Sequence, residues 1–236
     1  MLGAPKIVQV DTSENGELDT LIITAKLMEV FRDSIEKFNA SDSVILVRDS
    51  LSAVASTMEY LRALDSVILR GNPVIWYDVH QISGDSIFLK LENKQLHNAN
   101  IEGRAFAFSV ADSLFPQRYN QLSGERMKLT FQQKKIQQII VERRATSLYF
   151  LFDEDSSSIH KKPNGVNKVS GDVVHISFSK KNIERIVVQG GVEGQYYPEN
   201  LAEGKDEDFR LDGFKKRESP VLNNRNGQSE RKRKEQ

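Results

Sequence analysis

The chain has 236 residues, of which 39% are hydrophobic and 28% charged, so it is long enough for one or two globular domains. Its 33 basic and 33 acidic side chains balance, which argues against the concentrated positive field that nucleic-acid binding needs, and we expect no nucleic acid among its partners. The absence of cysteine excludes disulfide bonds, thiol nucleophiles and thiolate metal sites.

The N-terminal residues carry no export signal. Residues 1–6 show no basic region followed by an apolar stretch of signal-peptide length. No later run approaches the roughly 20 apolar residues of a membrane-spanning helix. We therefore expect a soluble chain with no targeting segment of its own.

Two weak copies of a repeated pattern come first along the chain, around Ala25 and Ala55. In each copy the alanine is followed by apolar residues at fixed offsets, such as Met28 in the first and Met58 in the second. Residues 25–38 also have apolar residues at helical spacing, but the repeat register competes for the same residues. We favour a strand there.

Three closer copies follow, and each reads apolar, Ser, Gly, acid, any, apolar, any, apolar. They occupy residues 82–89, 122–129 and 169–176. Apolar residues continue at matching offsets after each glycine, which chance rarely produces. Because a fixed period decides the architecture, the sequence predicts about five copies of one unit between residues 19 and 197.

Each copy has the two-residue period of a half-buried strand. In the first close copy, Ile87, Leu89 and Leu91 alternate with more variable residues, and the polar residues 92–94 then suit a turn. The small residue at the fixed position, Gly84 in this copy, leaves room for a bend or bulge at a corner. The sequence therefore predicts a strand, a turn and a returning strand in each copy.

Stacked copies place equivalent apolar residues one above another, so we expect a continuous apolar stripe in the interior. The predicted fold class is all-β, a repeat-built open roll of short antiparallel strands, with residues 1–198 as the roll domain. After about Pro198 the composition becomes strongly charged, and residues 199–236 are predicted to form a disordered C-terminal tail.

The acids of the repeat, Asp85, Glu125 and Asp172, would form a ladder along one corner. Calcium repeats supply several oxygen ligands per unit, whereas each copy here supplies one acid, so we expect solvated corner residues. The four histidines are scattered, and neither a nucleophile elbow nor a phosphate loop is present. The sequence therefore predicts no enzyme, no metal site and no cofactor.

Three segments carry a family resemblance: GNPVIWYD at 71–78, QISGD at 81–85 and YNQLSG at 119–124. Together with the repeats, they resemble the OstA-like family of lipopolysaccharide-transport proteins, which are LptA-like or like the periplasmic part of LptD, over roughly residues 19–214. The resemblance implies a β-jelly-roll, or folded β-taco, that holds the acyl chains of lipopolysaccharide between its two sheets in the periplasm.

The resemblance also implies partners. These are lipopolysaccharide, through its lipid A acyl chains, and either other Lpt-type β-roll proteins or further copies of the chain, joined head to tail. Unpaired edge strands would give such assembly a physical route. Family members enter the periplasm, whereas this sequence starts without a signal peptide, so we expect a periplasmic, envelope-associated fragment of a longer exported protein.

Lipid contact is predicted for apolar residues that alternate along the first strands and for one residue on each returning strand. They are Ile87, Leu89, Leu91, Met127, Leu129, Phe131, Val174, Ile176 and Phe178 on first strands, and Ile101, Val141 and Val188 on returning strands. Each could equally close a solid core, since apolar residues are buried in either case.

Two other functions stay open at this point. A structural β-solenoid would have a closed core, bind no lipid and polymerise through its open ends, and the size of the interior cavity distinguishes it from a carrier. A carbohydrate-active β-helix would use the acidic ladder, and it predicts that sugar hydrolysis is lost on Asp85→Asn or Asp172→Asn.

Overall fold

The computed structural model confirms the all-β class. It describes residues 5–12, 18–31, 36–49, 51–92, 95–153, 161–179 and 182–220, which form fifteen strands, one 3-10 turn and one short α-helix. Packing divides the chain into two units, Met1–Lys90 with Lys215–Gln236 and Leu91–Phe214. This division falls inside the predicted roll domain and not at residue 198.

The first unit is made of short antiparallel strands. They are β1 (Lys6–Thr12), β2 (Leu18–Thr24), β3 (Leu27–Phe31), β4 (Lys37–Arg48), β5 (Leu51–Leu61), β6 (Ser66–Arg70), β7 (Val74–Tyr77), β8 (His80–Ser83) and most of β9 (Ser86–Glu92), with the 3-10 turn at Arg62–Leu64. β2 pairs with β1 and β4, β5 with β4, β6 and β7, and β6 with β9. β3 pairs with β4, and β8 pairs with β7. Residues 27–31 and 37–38 therefore lie in strands β3 and β4, as the repeat register predicts.

The second unit contains longer strands. They are β10 (Gln95–Asp112), β11 (Phe115–Gln132), β12 (Lys135–Asp153), β13 (Lys162–Ser179), β14 (Asn182–Gln189) and β15 (Glu193–Pro198), followed by α1 (Glu199–Ala202). β10 to β14 pair antiparallel in chain order, and β15 pairs with the first half of β13. The predicted unit of strand, turn and returning strand appears here as β11–β12 and β13–β14. The strands are longer than predicted because each continues through its corner.

Returning strands turn their corners through two consecutive left-handed residues. In the second unit these pairs are Gly103–Arg104, Arg143–Arg144 and Gly190–Gly191, and in the first unit they are Asp42–Ser43 and Gly71–Asn72. The register of β10 and β12 shifts at this point, as a bulge requires. Each long strand therefore has two straight halves, and each half pairs separately.

The first strand of each close copy turns its corner at the glycine of the pattern, where a small residue is needed. A Cβ atom on Gly124 would lie 2.5 Å from Val141 Cγ1 and 3.1 Å from the Glu142 carbonyl oxygen. A Cβ atom on Gly171 would lie 2.7 Å from Val188 Cγ1. Any side chain at these corners therefore collides with the neighbouring strand, which explains the glycine in the pattern.

We expect Gly124→Ala to lower the free energy of unfolding by about 2 kcal/mol, since the added methyl group must displace a packed side chain and backbone. Gly194→Ala is the matched control, because its new Cβ would meet only Val169 Cγ2, at 3.8 Å. That control should change stability by less than about 0.5 kcal/mol. Chemical denaturation of the two variants measures both values, and equal losses would contradict the steric account of the corner.

The described part of the predicted tail is packed and not disordered. Ala202 and Leu211 are buried against the strands of the second unit, and residues 215–219 lie on strands of the first. Composition predicted disorder for residues 199–220 because charged residues far outnumber the few apolar residues that anchor them. Residues 221–236 of the predicted tail lie outside the described residues.

Candidate functional site

The predicted apolar stripe exists in the second unit as two rows of side chains that cross five strands. The first row follows the pairs Ile101 with Met127, Met127 with Val141, Val141 with Val174, and Val174 with Val188. The second row follows Ala99, Leu129, Ile139, Ile176 and Ile186 in the same way. We call these ten residues the apolar ladder. Residues at one repeat offset thus become cross-strand neighbours, which stabilises the sheet.

The ladder is closed along most of its length and opens at its last strand. Its members on β10 to β13 are between 0% and 3% exposed. On β14, Ile186 is 40% exposed and Val188 is half-buried. Apolar surface that is accessible in the ladder therefore lies at the β14 end.

The other predicted lipid-contact residues flank the ladder or belong to the first unit. Phe131 is buried opposite Ile136, and Phe178 is half-buried opposite Ile183. In the first unit Ile87 and Leu89 are buried opposite Leu69 and Val67. Leu91, the first residue of the second unit, is half-buried. The predicted set omits Ile186, the most exposed member of the ladder, although its repeat offset was visible in the sequence.

A second apolar core lies on the other half of the long strands. Residues 199–214, which we call the strap, cover it. The strands contribute Phe106, Phe108, Tyr119, Leu148, Phe150 and Val166, and the strap contributes Ala202 and Leu211. The ring of Phe214 lies 4.6 Å from that of Phe108 and 5.2 Å from that of Tyr119, between centroids. Sequence reasoning missed the strap that covers this core, because residues 199–236 were predicted to form a disordered tail.

Arg118 joins the strap to the strands with a charged contact. Its guanidinium donates to both carboxylate oxygens of Glu199, at 2.7 and 2.9 Å, and to Asp206, at 2.9 Å. The side chain is 4% exposed and lies over the rings of Phe115 and Phe150. The hydrogen bonds that Arg118 donates to Glu199 raise the pKa of Arg118, so the group stays charged despite its burial.

Two glutamines at the same repeat offset hold the C-terminal segment by its backbone. In the second unit, Gln121 donates to the Phe209 carbonyl oxygen at 2.7 Å and accepts from the Leu211 amide at 2.9 Å. In the first unit, Gln81 makes the same two bonds with Lys215 and Arg217, at 2.7 and 2.8 Å. Each pair imitates the hydrogen bonds of an added strand. The repeat therefore specifies the binding of the segment as well as the sheet.

Two of the acidic corner residues, Glu125 and Asp172, take part in an ion pair and in a backbone hydrogen bond. Glu125 is paired with Arg144 at 2.6 Å, and hydrogen bonding by Arg144 lowers the pKa of Glu125. Asp172 donates its backbone amide to the Gly190 carbonyl oxygen. Across the described ranges, no three His, Asp or Glu side chains stand close enough to hold a metal ion.

One of the four histidines, His80, is partly buried in a hairpin. It pairs with Tyr77 in the β7–β8 hairpin and is half-buried. Burial lowers its pKa, although the charge of Asp78 acts in the opposite direction. His80 is therefore a neutral packing residue at neutral pH.

Exposed apolar side chains concentrate on the terminal strands. Large exposed residues include Val8 and Val10 on β1, Leu27, Val30 and Phe31 on β3, Ile186 on β14 and Tyr196 on β15. In the part of the chain that the structure describes, no helix is long and apolar enough to cross a membrane. The second unit therefore combines a buried apolar ladder with exposed apolar residues on β14 and β15.

No family model matches the sequence, and no curated protein matches it significantly. Among solved structures, the chain is similar to the crystal structure of LptH, the LptA homologous periplasmic component of the conserved lipopolysaccharide transport device from Pseudomonas aeruginosa. The two chains are 10% identical, with a TM-score of 0.46, and the match covers 63% of this chain and 95% of that chain.

Proposed function

We propose that this protein is a lipopolysaccharide-binding component of lipopolysaccharide transport, and that it holds acyl chains in the apolar interior of its roll. The observation that carries the proposal is the apolar ladder, which crosses five strands without a polar residue. The resemblance of the repeats to the OstA-like family supports lipopolysaccharide as the ligand and the periplasm as the location. Such a carrier is a binding protein and not an enzyme.

The energy of acyl-chain binding comes from burial alone. Each methylene that leaves water contributes about 0.8 kcal/mol, so ten methylenes give roughly 8 kcal/mol before the costs of ordering and opening are subtracted. The ladder residues on β10 to β13 are buried, so an acyl chain can first meet the ladder only at its exposed end. The exposed end at Ile186 and Val188 is the place where contact begins.

End-to-end assembly belongs to the same proposal. β1 pairs with β2 and β14 pairs with β13, and within the described ranges no further strand covers the other edge of either. Free edges with exposed apolar residues favour pairing with another chain. Related β-rolls, or a second copy, would then extend the ladder from one molecule to the next.

A structural role is the second candidate, and the closed centre of the ladder favours it. Side chains that are 0% to 3% exposed form a packed core. In this alternative the molecule is a β-solenoid scaffold that polymerises through its ends and binds no lipid. Lipid binding at the β14 end distinguishes the two functions.

The test is equilibrium binding of purified lipopolysaccharide to the double variant Ile186→Glu with Val188→Glu. An acyl chain that enters the accessible end of the ladder would have to remove both carboxylates from water. Because this costs free energy, we expect the affinity for lipopolysaccharide to fall at least tenfold. The double variant Val187→Glu with Gln189→Glu is the matched control, because it adds the same two charges to the opposite face of β14. Equal affinities for the wild-type protein and the first double variant would reject the proposed site.

A further inference from the structure

A row of six side chains crosses six strands of the first unit. Cross-strand pairing joins its members in the order Gln81, Trp76, Ser52, Val47, Ile22 and Val8. We call these six residues the Gln81 row. The residues next to the row in sequence pair in the same way and are between 1% and 6% exposed: Ile82, Ile75, Ala53, Leu46 and Ile23. Since successive residues of a strand point to opposite faces, the Gln81 row lies on the face opposite to this buried side.

The C-terminal segment covers the first half of the Gln81 row, one strand after another. The Arg217 amide donates to the Gln81 side chain on β8 at 2.8 Å, and the Arg217 carbonyl oxygen accepts from Trp76 Nε1 on β7 at 3.2 Å. The Ser219 hydroxyl lies 2.9 Å from that of Ser52 on β5. Gln81 and Ser52 are therefore buried although both are polar. The segment runs along the row in the direction of β4, β2 and β1.

The second half of the Gln81 row is apolar and less covered. Val47 and Ile22 are half-buried, and Val8 is 53% exposed. The C-terminal segment changes in the same way, because Val221 and Leu222, which lie outside the described residues, are the only large apolar side chains in residues 215–236. The polar half of the row thus binds a polar stretch of the segment, and the apolar residues of the segment come next in the chain.

The segment is long enough to bring the two apolar parts together. Val47 and Ile22 lie one and two strand spacings beyond Ser52, which is about 5 and 10 Å. Val221 and Leu222 follow Ser219 by two and three residues, and a chain that spans up to about 3.4 Å per residue reaches about 7 and 10 Å. Both distances are therefore within reach of the segment from its contact with Ser52.

The sequence repeat leads to the same assignment. Gln81 and Ser52 each stand three residues before the small residue of their copy, and both bind the C-terminal segment. In the first copy, the residue three positions before Ala25 is Ile22. The position that binds the segment in two copies is thus occupied by an apolar residue in the copy where the segment would bring apolar side chains.

We propose that Val221 and Leu222 bind the apolar half of the Gln81 row, over Val47 and Ile22, so that the C-terminal segment continues across the first unit as far as β2. The free energy of this contact comes from the burial of apolar surface, whereas hydrogen bonds hold the segment at Gln81, Trp76 and Ser52. The docking goes beyond lipopolysaccharide transport and does not depend on it.

Paired cysteines in the full chain test the contact. The chain has no cysteine of its own, so two introduced thiols can react only with each other. For Ile22→Cys with Leu222→Cys we expect an intramolecular disulfide under mild oxidation, because a disulfide needs Cα atoms within about 7 Å of each other. Mass spectrometry of the linked peptides measures its rate of formation. The control is Val30→Cys with Leu222→Cys, since Val30 is 66% exposed but pairs with Phe38, far along β4 from Val47.

A second test pair, Val47→Cys with Val221→Cys, covers the case in which Ile22→Cys does not fold. A rate of monomer crosslinking at least tenfold above the control, for either test pair, is the expected result. Rates equal to the control in both test pairs would show that the two residues have no fixed place and would overturn the proposal. Disulfide-linked dimers that form faster as the protein concentration rises would also overturn it, because the row would then bind the segment of a second copy.

Discussion

Leu129→Ala is expected to lower the free energy of unfolding of the second unit by about 3 kcal/mol. Leu129 is fully buried and stands between Ala99 and Ile139 in the ladder, so its truncation leaves a cavity that the surrounding strands cannot fill. For a chain of this length, that loss corresponds to a fall in Tm of about 6–12 °C. Differential scanning calorimetry measures it directly.

Ile186→Ala is the control within the same row. Ile186 is 40% exposed at the β14 end, so its truncation should cost less than about 1 kcal/mol. For lipid affinity we expect the opposite order: Ile186→Ala should lose more affinity than Leu129→Ala, because the accessible end makes the first contact. Equal destabilisation by the two substitutions would contradict the difference between a buried centre and an exposed last strand of the ladder.

Arg118→Met is expected to destabilise the second unit by about 3 kcal/mol and to loosen the strap. Methionine keeps the apolar length of the side chain but leaves Glu199 and Asp206 without their buried cation. Breaking a buried ion pair costs about 3–5 kcal/mol, and we take the low end because the two acids are partly exposed. Amide hydrogen exchange should accelerate in residues 199–214 and much less in β10 to β13.

The matched control is Arg126→Met. Arg126 pairs with Glu102 at 3.0 Å, but both side chains are about half exposed, and such a pair contributes less than about 1 kcal/mol. If Arg118→Met proved as mild as this control, the strap would be held by its aromatic contacts and glutamine bonds alone.

The fold was predictable because each copy of the sequence pattern forms the same arrangement of strand and corner. Residues at one offset, such as Met127 and Val174, alternate with a period of two and therefore lie in the same row once the strands pair. The glycines of the pattern were predicted as corners, and the contact of Gly124 with Val141 gives the steric reason. Register and corner are thus both local consequences of the sequence.

The paired left-handed corners could not be read in the same way. Arg143 and Arg144 occupy a backbone region that non-glycine residues avoid, and no propensity favours arginine there. Glu125 explains in part why arginine occupies these two positions, because both guanidiniums approach its carboxylate. The corner is set by the neighbouring strands, which a single segment does not display.

The strap was missed for a different reason. Its anchors Phe209, Leu211 and Phe214 are few and lie among charged residues, so composition predicts a solvated tail. Gln121, which binds the strap, and Gln81, which binds residues 215–217, are polar residues in a pattern where apolar spacing was the guide. The signal that could have found it is the recurrence of glutamine at one offset, three residues before Gly84 and Gly124.

Photocrosslinking to lipopolysaccharide is the most direct test of the carrier function. A small diazirine amino acid would be placed at Ile176, Ile186 and Val188 on the ladder, and at His175 and Val187 on the opposite face as controls. We predict strong crosslinks at Ile186 and Val188, weaker ones at Ile176 and none at the controls. Folded protein without a crosslink at any ladder position, or with equal crosslinks on both faces, would contradict lipid binding in the interior and leave the structural solenoid as the better account.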